Sequence, residues 1–310
     1  MNSASSASQR EVPAAPEEQT STEGRVELLL VVVILIWAAN YPVAKYGIAG
    51  LNVFVFNAIR YVIAGLFLAG VYFARSPWTR VHRGDWPALL RAGIVANVIY
   101  QVAFIIGLSM TTAGNTAVLL ATSPLWTVFL SARMHKERVR AEVWIGMAIS
   151  LAGIVMIILG SGKKFEIGWT ALIGDLICLS SAFLWSLNTN LQKPLLVRYS
   201  PAQLSLIMVG VGAVGLSLIA VPPSSTMSWG SVHWTYYVAA LVSGAASIGL
   251  GNLLWSYGVK RLGPSRTGNF GNLVPVLAFV ISYFTLHEEV LTIQIVGAAV
   301  TLLGVWYARQ

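Results

Sequence analysis

Long apolar runs separated by short polar segments repeat along almost the whole chain. A helix needs about 20 mostly apolar residues to cross the hydrocarbon core of a bilayer. Ten stretches meet that requirement: 26–48, 52–73, 87–109, 112–133, 141–160, 169–193, 201–221, 234–258, 264–285 and 290–307. The expectation is an all-α polytopic membrane protein with ten transmembrane helices. No connecting segment is long enough to fold by itself, which leaves no room for an ATPase module or a soluble catalytic unit. Residues 1–24 are rich in Ser, Ala, Glu, Gln and Pro and contain no hydrophobic region. They are expected to form a disordered tail and not a cleaved signal peptide.

Composition agrees with the runs. Of 310 residues, 56% are hydrophobic and only 10% charged, where a soluble domain is nearer a quarter charged. One soluble core could not hide so much apolar surface. The net charge of +8 raises nucleic acid as a partner, but the placement of Lys and Arg argues for a membrane and against nucleic acid. With the N-terminus inside, 16 of the 20 basic residues fall in cytoplasmic segments. Lys45, Lys163 and Lys164 lie on the other side, and Arg60 sits within the second span. Both termini are therefore expected to be cytoplasmic. The single cysteine, Cys178, excludes a disulfide framework and a thiolate metal cluster. Gly160-Ser161-Gly162-Lys163-Lys164 lacks the leading Gly and closing Ser/Thr of a phosphate loop and reads as a basic turn.

The runs are also duplicated. Trp37, Asn40 and Lys45 recur 148 positions later as Trp185, Asn188 and Lys193. Further along, Gly107, Pro124, Glu137, Gly146 and Gly153 recur 151 positions later as Gly258, Pro275, Glu288, Gly297 and Gly304. The halves are 26–160 and 169–307. Each holds five spans, an odd number, so the second half must lie inverted in the membrane. Two inverted five-helix repeats are a plan of secondary transporters, with the site between the halves.

These residues also carry a family resemblance. Each half ends in a Pro-containing helix, an acidic residue and a Gly-x6-Gly helix: Pro124, Glu137, Gly146, Gly153 and Pro275, Glu288, Gly297, Gly304. Phe56-Asn57-Ala58-Ile59-Arg60 adds a Phe-x-x-x-Arg pattern, with Met208 in place of the Arg in the second half. The set resembles the tandem EamA domains of the drug/metabolite transporter superfamily over residues 26–307. Within it the chain is most similar to the bacterial exporters of aromatic amino acids. That resemblance implies a multi-pass protein of the bacterial inner membrane, set in lipid, with no cofactor.

Candidate chemistry follows from polar and aromatic residues deep in the spans. Trp78, Trp86, Trp144, Trp169, Trp229, Trp234 and Trp306 lie near span ends, where an interfacial belt explains them. Trp37, Trp126, Trp185 and Trp255 lie deeper. Packing or substrate contact accounts equally well for one deep Trp, but Asn neighbours tip Trp37 and Trp185 toward a cavity. In the third span Asn97, Tyr100, Gln101 and Phe104 form one helical stripe. Asn252 and Trp255 occupy the positions 151 after Gln101 and Phe104, and Asn269 and Asn272 follow in the ninth span. Interhelical hydrogen bonds could explain a few such amides; this many in both halves favour a wet pathway. Pro42, Pro124 and Pro275 are expected to kink their spans and free the carbonyls of Ala38, Leu120 and Gly271. Arg60 reads as a structural anchor or a snorkelling residue more than a ligand.

The site is thus expected to use Trp37, Asn40, Asn97, Tyr100, Gln101, Trp185, Asn188, Asn252, Trp255, Asn269 and Asn272, with Pro42, Pro124 and Pro275 as gating kinks. Amides and freed carbonyls suit the amino and carboxylate groups of a small amino-acid-like substrate. Aromatic contacts, worth roughly 0.5–1.5 kcal/mol each, suit its apolar part. No deep carboxylate pair or His offers a proton relay, so facilitated diffusion is the simpler mechanism. The rivals are a multidrug exporter of aromatic cations and an intramembrane enzyme. The first wants an intramembrane carboxylate, for which the nearest, Glu27 and Asp175, look peripheral; the second wants a nucleophile–base pair or metal ligands, and the sequence shows neither.

Overall fold

The computed structural model describes residues 16–74, 79–110, 119–120, 122–136, 138–160, 169–274, 276–277 and 292–308. The described elements are helical throughout. α1 runs Pro16–Gly50 and α2 Val53–Phe73. α3 is composite: Trp86–Ile94, a π-helical segment Val95–Ile99, then Tyr100–Met110. α4 spans Ser123–His135, α5 Ala141–Gly160, α6 Trp169–Arg198 and α7 Pro201–Ser225. α8 repeats the composite design with Trp234–Val242, a π-helical segment Ser243–Leu250 and the start of Gly251–Asn269. That last stretch breaks at Gly263, whose φ of 83° only glycine adopts freely. α9 (residues 264–272) follows from Pro264 through the 3-10 turn Phe270–Asn272. α10 is Thr292–Tyr307.

Local chemistry sets several of these boundaries. The Asn52 side chain caps α2 by accepting from Phe54 N at 3.0 Å. Ser200 accepts from Gln203 N at 3.2 Å, with Pro201 in the first turn of α7. The start of α1 differs from the expectation, because residues 16–24 are helical and not tail. Pro16 is a favourable opening, since proline needs no donor in the first turn.

Four described stretches are long and apolar enough to cross a membrane: Val53–Phe73, Arg83–Gly107, Pro201–Ser225 and Trp234–Asn272. Ala141–Gly153 and Ile295–Gly304 are shorter apolar helices. Large apolar side chains such as Leu66, Val197, Leu218 and Leu303 lie on the outside, as a lipid solvent permits.

The helices pair across the two halves: α1 packs on α8, α3 on α6, α2 on α7, and α5 on α10. The α5–α10 pair is the closest. A Cβ on Gly146 would sit 2.5 Å from the Gly304 carbonyl, and one on Gly153 would sit 2.5 Å from that of Gly297. Between them Ser150 Oγ donates to Thr301 O at 3.2 Å, and Thr301 Oγ1 reaches Ser150 O at 3.5 Å. Residue numbers fall along one helix as they rise along the other, so the two run antiparallel. In lipid, where apolar burial between helices contributes little, such small-residue faces let backbones approach and hydrogen-bond.

The change of offset from 148 to 151 also finds a place. The π segments begin at Val95 and Ser243, 148 apart, and the α-helices after them begin at Tyr100 and Gly251, 151 apart. The three additional residues of the second half are taken up in the longer π segment of α8.

Candidate functional site: an aromatic cluster between the halves

The residues at the centre come from α1, α3, α6 and α8. Trp37 and Trp185 meet edge to face, ring centroids 5.2 Å apart and planes at 80°. Trp255 lies against both, at 5.1 Å from Trp37 and 5.7 Å from Trp185. Tyr100 adds a ring 5.5 Å from Trp185, and Phe104 stacks on Tyr100 at 6.2 Å. Edge-to-face and tilted contacts at these separations are the favourable arrangements for π systems. The indole N–H groups are anchored. Trp37 Nε1 donates to the Ser247 carbonyl at 3.1 Å, inside the π segment where the regular α ladder is interrupted. Trp255 Nε1 donates to Thr189 Oγ1 at 3.2 Å.

Beside the rings lies a buried polar network. Asn97 Nδ2 donates to the Met208 carbonyl at 3.0 Å, and its Oδ1 accepts from the Tyr61 hydroxyl at 3.1 Å. Gln101 Nε2 in turn donates to Tyr61 Oη at 3.2 Å. On α6, Gln192 Nε2 donates to Asn188 Oδ1 at 3.0 Å, and Gln192 Oε1 accepts from Ser256 Oγ at 2.6 Å. Ser205 of α7 lies 3.1 Å from Ser256 Oγ. Asn252 Nδ2 donates to the Ile248 carbonyl at 2.8 Å. Asn97, Asn188, Gln192, Ser205, Asn252 and Ser256 line a cavity of about 10 Å³, open to the centre of a single water molecule. Asn40 does not line that cavity; its Oδ1 accepts from the Ser243 hydroxyl in the π segment.

The structure therefore brings Trp37, Tyr100, Trp185 and Trp255 into one cluster and sets Asn97, Gln101, Asn188 and Asn252 around a neighbouring polar network. Asn269 and Asn272 do not join it. Asn272 Nδ2 donates to Asn269 Oδ1 at 3.2 Å, while Phe270 between them packs in the same apolar core as Trp255. Trp126 lies elsewhere, against Phe129 and Phe183, with Nε1 on Thr122 Oγ1.

The prolines differ from one another. Pro42 lies within α1, which continues to Gly50. Pro124 is not a mid-helix kink: it sits in the first turn of α4, where a missing N–H costs no helical bond. The Leu120 carbonyl accepts from Ser123 Oγ at 2.7 Å. Pro275 lies outside the described residues.

Several members of the network escaped sequence reasoning. Gln192 was legible, because it lies four residues after Asn188 and seven after Trp185 on one helix stripe. Ser205, Ser243, Ser256 and Thr189 were not. A hydroxyl in an apolar helix usually bonds its own preceding turn, as Ser181 does with Cys178 O, and so carries no positional signal.

At the end of the molecule formed by the start of α3, Arg198 Nη1 donates to Asp85 Oδ1 and the Tyr199 hydroxyl to Oδ2, both at 2.7 Å. The Tyr199 bond, and then Arg198, hold the Asp85 carboxyl below the usual carboxylate range; Asp85 lies in the 3-10 turn preceding α3. Among the described residues no group of three or more His, Cys, Asp or Glu could hold a metal.

A family model matches the chain twice in tandem, over residues 24–159 and again over 172–309. The chain belongs to the EamA-like transporter family. Relatives of this EamA-like transporter include the uncharacterized transporter YyaM of Bacillus subtilis (strain 168), 25% identical over 69% of this chain and 70% of the relative. A probable terminal-alkyne amino-acid exporter of Streptantibioticus cattleyicolor is 25% identical over 89% of this chain and 90% of its own length. A solved crystal structure shares the fold, with a TM-score of 0.77 over 92% of this chain and 96% of that chain at 19% identity. Family and relatives are transporters and not enzymes, so this membrane-spanning protein moves a small molecule without transforming it.

Proposed function

We propose that this protein exports small amphipathic amino acids, aromatic and other neutral ones, across the bacterial inner membrane, by alternating access about the aromatic cluster. The observation that carries the reading is the contact of Trp37 with Trp185, equivalent residues of the two repeats, at 5.2 Å. A site shared by both halves changes its exposure whenever the halves rock against each other. The ten-span, inverted arrangement with both termini cytoplasmic is supported by the odd span number, the 16-to-3 division of basic residues and the antiparallel α5–α10 pair. The domain limits that go with it are 26–160 and 169–307.

The rings now fill the space a substrate side chain needs, and the neighbouring cavity holds about one water. Loading an amino acid therefore means parting Trp37 from Trp185 and stacking the substrate between them, with Tyr100 and Trp255 beside it. Asn40, Asn97, Gln101, Asn188 and Asn252 take its polar groups. Asn269, Asn272, Pro42 and Pro275 belong to the same reading as wall and hinge positions. None of the network residues is a carboxylate or imidazole, which supports facilitated diffusion over proton exchange. The Arg60 guanidinium is an electrostatic neighbour of Tyr100, which favours a carboxylate-bearing cargo over an aromatic cation.

The test is flux of radiolabelled aromatic amino acids in proteoliposomes. Asn40→Ala and Asn188→Ala are expected to lower transport about two- to tenfold, the range of a lost hydrogen bond, and Trp37→Ala and Trp185→Ala at least as much. Trp306→Ala, at an exposed interfacial position, is expected to be nearly silent. Parental flux in both Asn variants together with failure of Trp306→Ala would place the cavity elsewhere. Accumulation against a substrate gradient on acidifying one side would refute the facilitator.

A further inference from the structure

Arg60 lies deeper within its span than any other basic residue of the sequence-read spans, and the amide network makes no use of its charge. It is the eighth residue of α2, about 11 Å along the helix from its start, well inside a hydrocarbon layer about 30 Å thick. It is 7% exposed. Burying a guanidinium is costly unless its charge and its donors are satisfied. Here Nη1 donates to Asn57 Oδ1 at 2.9 Å, a neutral acceptor, and the guanidinium lies 5.3 Å from the Phe56 ring centroid. Nε is buried and finds no acceptor among the described residues. No acidic side chain forms an ion pair with it among those residues, and its electrostatic neighbours are the hydroxyls of Tyr61 and Tyr100.

The two tyrosines link Arg60 to both parts of the centre. Tyr100 is the ring that stacks on Trp185, and Tyr61 is the hydroxyl joined to Asn97 and Gln101. On the opposite side the Arg60 backbone is pressed against the π segment of α8, so closely that a Cβ on Gly244 would lie 2.5 Å from the Arg60 carbonyl. Gly244 follows Ser243, the partner of Asn40. Arg60 thus stands where the aromatic cluster, the amide network and the Asn40 contact come together. A snorkelling cation would reach the interface and a purely structural one would saturate its donors; Arg60 does neither.

We propose that Arg60 binds the carboxylate of the transported molecule, pairing its N–H groups with the two carboxylate oxygens while the substrate side chain stacks on Tyr100 and Trp185. This deepens the amino-acid reading and rests on it. A guanidinium matches a carboxylate with two parallel hydrogen bonds, and an ion pair formed on loading offsets a charge otherwise left unmatched. The second half has Met208 at the corresponding position, so the carboxylate has one charged partner and the substrate one orientation in the site. The substrate class is accordingly a monocarboxylate with an apolar body. Compounds of the same shape without the carboxylate draw nothing from Arg60.

The test compares L-phenylalanine with L-phenylalaninamide, which differ only at the carboxylate, in proteoliposomes after subtraction of leak through protein-free vesicles. For Arg60→Gln, phenylalanine flux is expected to fall at least about tenfold, the loss of a charge-assisted hydrogen bond, while amide flux does not fall and an unchanged melting temperature certifies the fold. Arg60→Lys should recover part of the phenylalanine flux. Equal loss of both compounds, or loss of neither, would overturn the proposal. A second measurement separates it from the transport reading: quenching of tryptophan fluorescence by 3-phenylpropionate and by 3-phenylpropanamide. If the parent moves no amino acid but binds the propionate in an Arg60-dependent way, the carboxylate site stands and the export reading falls. Binding of both quenchers alike, or of neither, overturns the site.

Discussion

At one end of the molecule the start of α3 meets the end of α6; at the other, the start of α8 meets the end of α1. The repeat makes these corners equivalent, since α1 and α6 end at Gly50 and Arg198, and α3 and α8 begin at Trp86 and Trp234, each pair 148 apart. Yet they are closed by different chemistry. The first corner is ionic, with Asp85 taking hydrogen bonds from Arg198 and Tyr199. The second is neutral. The Tyr46 and Thr235 hydroxyls lie 2.6 Å apart, the Tyr46 and Tyr236 rings 4.9 Å apart, and Gly50 stands where a Cβ would be 2.2 Å from the Tyr236 ring. Duplication preserved where the helices end and meet, while the side chains that latch each corner diverged.

The comparison is most vulnerable at Gly50. Gly50→Val puts atoms into the Tyr236 ring, and overpacking of this kind costs about 1–3 kcal/mol. A lower melting temperature and reduced flux are expected, with recovery when Tyr236→Ala is added. Failure of the second substitution to rescue the first would mean that the corner is not held by that contact.

A smaller effect is expected at the ionic corner, because Arg198 is largely exposed and salt screens such a pair. Arg198→Gln should lower thermal stability slightly at low ionic strength and not at high. Acid should act alike on the parent. A carboxyl whose folded pKa is depressed contributes stability above its ordinary titration range and loses it as pH falls through the depressed value. The parent is therefore expected to lose the Arg198-dependent increment on acidification below about pH 4, the ordinary range of an Asp. Tyr46→Phe, at the neutral corner, should show no salt dependence. Equal salt dependence at both corners would erase the distinction.

Much of the centre could be read from the chain. Trp37 and Trp185 stood out because a Trp three residues before an Asn, in an apolar run, occurs twice at one spacing, and the two indoles are in contact. Tyr100 and Trp255 followed from helical stripes and meet the same cluster. What failed was local. Pro124 in an apolar run looks like a kink until the helix is seen to begin there, and nothing in a hydropathy pattern marks that start. The shift from 148 to 151 was visible, but its place was not, since α and π turns draw on the same residue types. Asn269 and Asn272, with only their type to recommend them, bond to each other instead of facing the network.

Whether both corners open in turn around the aromatic centre is the claim on which the rest depends. With Cys178 replaced by Ser, Asp85→Cys with Arg198→Cys and, separately, Tyr46→Cys with Thr235→Cys can be bridged by a short, reducible bis-methanethiosulfonate. Flux of L-phenylalanine in proteoliposomes is then measured before and after reductant. The account predicts that either bridge stops flux and that reduction restores it. Undiminished flux through a protein bridged at either corner would contradict it.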